Sequence, residues 1–255
     1  MLKPLLASVA LIALGACSAT LQTTSGADYL ARYDASHEIT NGTATDVDED
    51  VRRIAAIEPT LAFPARIGLA RIENGRLTAL PADEARIWQE TVDEMGDQYG
   101  ALVPVSPLIA SMVAEPAAPG MNRAAAVIAN IRRGAARQHV DYVLAYEVGS
   151  SRTDRANALA LADLTVIGMF VLPSRTIDVE ATASGLMLDV RTGYPYATLT
   201  THADKSGMSR AVSERSTTRA YADTAEERAV AKLADEFAGA MEGLEAAARE
   251  VSETG

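Results

Sequence analysis

The sequence predicts an α/β fold: a mixed sheet with helices packed on it, a single domain, and a long C-terminal helix. Three observations carry that expectation. Segments with apolar residues at helical spacing alternate with short β-rich runs; Asn74-Gly75 and Arg191-Thr192-Gly193 mark turns between paired strands; and the stretch after Thr224 holds one long helical stripe. With 255 residues, 48% hydrophobic and 22% charged, the chain can bury a core of domain size.

The amino terminus comes first. Lys3 precedes an unbroken apolar run, residues 5–14, that ends in Gly15-Ala16-Cys17, the pattern of a secretory signal peptide over 1–16. That run is about half of the ~20 residues a permanent transmembrane helix needs. The tetrad Leu14-Gly15-Ala16-Cys17 resembles the lipobox of bacterial lipoproteins, in which the sulfur of the Cys takes a diacylglycerol group. Cys17 is the single cysteine, so no internal disulfide competes for it. Acyl chains on Cys17 would tether the protein to a bilayer without spanning it. Ser18, where Asp is absent, resembles the sorting signal for the outer membrane. Residues 17–45, rich in Thr, Ser, Ala and Gly, read as the lipidated Cys and a flexible tether, and 46–255 as the α/β domain.

Within that domain, Thr45 with Asp48 forms a capping-box pattern opening a helix over 46–58, with Val47, Ile54 and Ile57 near one face and Pro59 as its stop. Residues 64–73 alternate as a strand, Asn74-Gly75 turns it, and 76–80 pair back. Pro81 suits a first helical turn, with Asp83 and Glu84 at the positive end of the helix dipole. Ala85, Trp88, Val92, Met95 and Tyr99 make that helix's apolar stripe, and Gly100 ends it. Residues 101–107, broken by two prolines, predict a short edge strand. After a loop at 114–122, Asn122 caps a helix that buries Ala124, Val127, Ile128, Ile131 and Ala135. Residues 140–148 are almost wholly apolar and predict a central strand. Residues 175–190 and 196–202 form a hairpin. Thr224 with Glu227 predicts the start of the terminal helix, whose stripe is Val230, Leu233, Phe237, Met241 and Leu244.

Several stretches resemble a known group: Gly26-Ala27-Asp28-Tyr29-Leu30, residues 64–69 (PARIGL), residues 140–144 (VDYVL), residues 164–173 (LTVIGMFVLP) and residues 188–193 (LDVRTG). Together they resemble rhombotarget-type envelope lipoproteins. The element order is similar to the TolB amino-terminal-like domain of curli-secretion lipoproteins and penicillin-binding-protein activators. The resemblance implies a binding or assembly module without chemistry of its own.

The residues themselves point the same way. A net charge of −11 argues against a nucleic-acid partner. His37, His139 and His202 sit in separate segments without metal-ligand spacing. Asp46, Asp48 and Asp50 open like a calcium loop, but Val51 replaces its glycine and Ile57 its bidentate Glu. No nucleophile elbow or phosphate loop is present. No catalytic, cofactor-binding or metal residue is therefore assigned, and the chain is read as non-enzymatic. An envelope hydrolase is the rival that a pocket holding a nucleophile and base would revive. Residues 156–173 carry Asp163 as their one charge; they read either as a core element or as an exposed lip. In the second reading Val166, Ile167, Met169, Phe170 and Leu172 form a possible interaction segment. The expected partners are the bilayer, through Cys17, and an envelope protein or a second copy. The expected place is the periplasmic face of the outer membrane.

Overall fold

The structure is a computed structural model and describes residues 18–37, 46–156, 175–209 and 214–254. Cys17 and residues 157–174, with Val166, Ile167, Met169, Phe170 and Leu172, lie outside the described residues. Strands β1 (Ser18–Leu21), β2 (Ala65–Glu73), β3 (Arg76–Thr78), β4 (Gly100–Pro104), β5 (Tyr142–Ala156), β6 (Arg175–Asp189) and β7 (Pro195–Ser209) form one sheet. Its order is β1-β7-β6-β5-β2-β3, with β4 also paired to β2. β2 runs parallel to β4 and β5, and the other pairs are antiparallel, so the sheet is mixed as predicted. The helices are α1 (Gly26–His37), α2 (Asp46–Ala55), α3 (Ala82–Met95), α4 (Pro107–Met112), α5 (Arg123–Arg137) and α6 (Glu214–Thr254).

Alternation along the strands divides the core in two. Ile67 and Leu69 of β2, Tyr142 and Leu144 of β5, Met187 of β6 and Leu199 of β7 face α3 and α6. The predicted α6 stripe, from Val230 to Leu244, is fully buried there against Trp88 of α3. On the opposite face Ala70, Val143, Ala145 and Leu188 pack under Ile131 and Ala135 of α5. β5 is central, as its apolar run predicted, and β4 stays at the edge.

Four expectations are corrected. The tether is folded where it is described: β1 pairs antiparallel with β7, and α1 follows. Short Thr- and Ala-rich sequence suffices for β1, because an edge strand can be held by backbone hydrogen bonds that composition does not reveal. Glu58 fixes α1 by accepting from the amides of Gly26 at 3.2 Å and Ala27 at 2.8 Å. α2 ends at Ala55, so Ile57 leaves the helical phase and packs on the larger core, while Ile54 points outward, 61% exposed. α3 stops at Gly96, whose φ of 88° a side chain disfavours, and Tyr99 is reached through a 3₁₀ turn. Finally, α6 begins at Glu214; Thr224 is interior, its hydroxyl donating to Ala220 O at 2.8 Å, and caps nothing.

The ribbon is also longer than hydropathy suggests. β5 and β6 stay paired from Tyr142↔Asp189 out to Ala156↔Arg175, whereas β2 leaves β5 at Glu147. The polar stretch 149–155 is strand because β6 satisfies its backbone. Residues 148–156 therefore carry the ribbon about 30 Å past β2 at ~3.3 Å per residue.

Candidate functional site

α5 meets the sheet as a wedge. Its later turns are buried at Ile131, Gly134 and Ala135, and a side chain at Gly134 would collide with Ala110 of α4. Its first turns are more open: Arg123 and Ala124 are exposed, and Val127 and Ile128 are half-buried. The gap beneath them is a groove of about 490 Å³. Ile72, Ala145 and Leu186 of the sheet face Val127 and Ile128 across it.

The polar groups of the groove stand at defined places. Asn122 caps α5, its side-chain oxygen accepting from Ala125 N at 2.8 Å. This positions Arg123, which donates to Asn74 O at 2.8 Å and lies over Gly75. Gly75 adopts a φ of 68°, so the predicted Asn-Gly turn also leaves room for the guanidinium. Glu147, exposed on β5, and Ser184 of β6 complete the lining. The result is an apolar floor with one positive and one negative side chain among its walls, an arrangement that suits binding an amphipathic surface.

The other sheet face holds a buried polar cluster that sequence reasoning missed. Arg71 of β2 donates through Nε to both oxygens of Glu84, at 2.8 and 3.0 Å. Tyr146 of β5 donates to Glu84 Oε2 at 2.5 Å. Both Arg71, 8% exposed, and Glu84, 6%, are taken from water, and Glu73 approaches Arg71 at 3.2 Å. Burial and then the Glu84 charge push the Tyr146 phenol far above its ordinary value. Trp88, its ring 5.4 Å from that of Tyr146, meets no acceptor at hydrogen-bond geometry through its buried Nε1 among the described residues. The missed signal was phase: Arg71 alternates with Ile67 and Leu69, and Glu84 precedes Trp88 by one helical turn.

Among the predicted candidates, His202 Nδ1 lies 3.0 Å from Thr182 Oγ1, and His139 follows α5 in a left-handed conformation, φ 56°. Asp46, Asp48 and Asp50 lie within α2 and do not form a loop. Among the described residues no group of three or more His, Cys, Asp or Glu could hold a metal ion. No helix among them is long and apolar enough to cross a membrane.

An α/β module with an open apolar groove is the class of protein these features define. No protein-family model matches the chain, and no curated protein matches it significantly. Among solved structures it is similar to the PelC dodecamer from Paraburkholderia phytofirmans, at 15% identity over 69% of this chain and 88% of that one, with a TM-score of 0.29. It is also similar to the hypothetical protein CT253 from Chlamydia trachomatis, at 14% identity over 71% of this chain and 98% of that one, with a TM-score of 0.30.

Proposed function

We propose that this chain is a lipoprotein held at the periplasmic face of the bacterial outer membrane through acylated Cys17, and that its α/β domain binds another envelope component without chemistry of its own. The observation that carries the binding reading is the groove under α5, whose walls are mainly apolar and carry one positive and one negative side chain, Arg123 and Glu147. The lipid anchor rests on the signal-like run and the tetrad ending in Cys17. The run 156–173, nearly all of it outside the described residues, is proposed on its apolar composition as a second candidate contact.

Affinity capture from detergent-solubilised envelopes tests the groove. Val127→Arg fills the cleft from its half-buried wall and is expected to abolish capture of the partner while the thermal midpoint stays close to that of the wild type. Undiminished capture by this variant would remove the groove from the proposal. Self-association, the alternative reading, would appear as a concentration-dependent sedimentation coefficient that Val127→Arg shifts.

A further inference from the structure

The second helix of the fold shows its apolar stripe to the outside. α2 starts with Asp46, Asp48, Glu49 and Asp50, and its Val51 and Ile54 form one stripe that is 39% and 61% exposed. Tyr29 of α1, 45% exposed, joins them on the wall of a groove of about 380 Å³, which continues to Gln22 and Tyr194. Leu21, the last residue of β1, is also half uncovered.

This apolar surface has a fixed place in the fold. Tyr194 donates its hydroxyl to Thr24 O at 2.9 Å, and Gln22 N donates to Tyr196 O at 2.8 Å. Glu58 holds the first amides of α1, and a side chain at Gly26 would run into the backbone of Ala55 and Ala56, so the two helices are in close contact.

Chain length then connects the surface to a partner. Cys17 directly precedes Ser18, which is already paired with Thr200, and only the four residues of β1 separate it from Gln22 on the groove's rim. Four extended residues span about 14 Å at ~3.4 Å each. No slack segment lies between the anchor and the patch. A domain tied to lipid at Cys17 cannot hold the β1 edge well clear of a headgroup layer that is roughly 5–8 Å deep on each side. Exposed Ile54, Val51 and Tyr29 are residue types that enter the boundary between headgroups and acyl chains, while the first turns of α2 are acidic and Arg53 is paired with Asp50 at 3.0 Å.

We infer that, granted the lipoprotein reading above, the α1–α2 face lies on the phospholipid leaflet that carries the anchor, with Ile54, Val51 and Tyr29 at the boundary of headgroups and acyl chains and the β1 edge of the sheet along the surface. The occupant of this face is the bilayer and not a protein.

Because acylation consumes the single native Cys, an introduced cysteine can be labelled alone. Full-length mature lipoprotein carrying Ile54→Cys is labelled with an environment-sensitive dye and reconstituted in vesicles of phosphatidylethanolamine and phosphatidylglycerol that carry a lipid-bound quencher. Leu108→Cys is the reference, since Leu108 is 78% exposed and lies on α4, beyond the opposite edge of the sheet. The expected result is a blue shift and several-fold stronger quenching at position 54 than at 108. Equal, water-like signals at both positions, on protein that floats with the vesicles, would overturn the docking while leaving the anchor intact. Protein that fails to float would remove the anchor reading and this inference with it. A blue shift at position 54 that grows with protein concentration without vesicles would assign the face to a second copy and overturn the inference.

Discussion

Glu84 occupies a position in the first turn of α3 that favours an acid for reasons of dipole alone, yet its burial between Arg71 and Tyr146 gives it a larger role. Removing one member of a buried ion pair leaves the other charged and unpaired. Glu84→Ala is therefore expected to lower stability by about 3–5 kcal/mol in urea unfolding, while replacing both partners, with Arg71→Met and Glu84→Leu, should recover most of that loss. Tyr146→Phe, which removes one hydrogen bond to a charged group, should cost about 1.5–3 kcal/mol. The tyrosines add a pH dependence. Burial pushes the phenols of Tyr142, Tyr146, Tyr194 and Tyr196 above their ordinary value. A value raised in the folded state means that the folded form prefers the protonated phenol, so this stabilisation is complete below the unfolded tyrosine value of ~10 and declines as pH rises past it. Urea midpoints taken between pH 8 and 11 should fall at the alkaline end, and Tyr146→Phe should flatten the fall. None of these side chains was legible as a cluster, because a sequence pattern counts a charged residue as solvent-facing and cannot show that two such residues meet across a sheet.

At the scale of elements, long periodic segments were legible and short or polar ones were not. The α6 stripe and the apolar β5 core were readable because burial on one face imposes a period on many successive residues. β1 and the outer half of β5 were unreadable, since the backbone pairing that holds them leaves no mark on hydropathy. The terminal helix gives a direct contrast. A capping Thr224 would make Thr224→Ala cost about 1 kcal/mol. As an interior residue whose hydroxyl bonds back to Ala220, it should instead be neutral or gain up to about 0.5 kcal/mol from the better helix former, as read by thermal unfolding. β1 offers the complementary case. A chain that starts at Asp46 leaves the outer edge of β7 without its β1 partner over 197–200 and Glu58 without its amide partners, so its urea midpoint should lie below that of a chain starting at Ser18. Equal midpoints would return this stretch to the role of a tether.

For the whole molecule, the groove under α5 and the α1–α2 face lie on different elements, and each is proposed for a different partner: the first for an envelope component, the second for the leaflet itself. The sequence contained the turn and the cap that shape the first groove, Asn74-Gly75 and Asn122, but not the wedge between α5 and the sheet that opens it. A groove is a relation between elements, and periodicity describes each element by itself. The acidic charge and the lone cysteine were legible at once, and both readings of place depend on that cysteine. The most direct test is the intact mass of the protein extracted from the envelope fraction of its bacterial host. The expected result is a chain that begins at Cys17 and carries the added mass of a diacylglyceryl group and an N-linked acyl chain, with Cys17→Ala leaving the detergent phase. A wild-type chain in the aqueous fraction with an unmodified thiol at Cys17 would contradict the lipoprotein account.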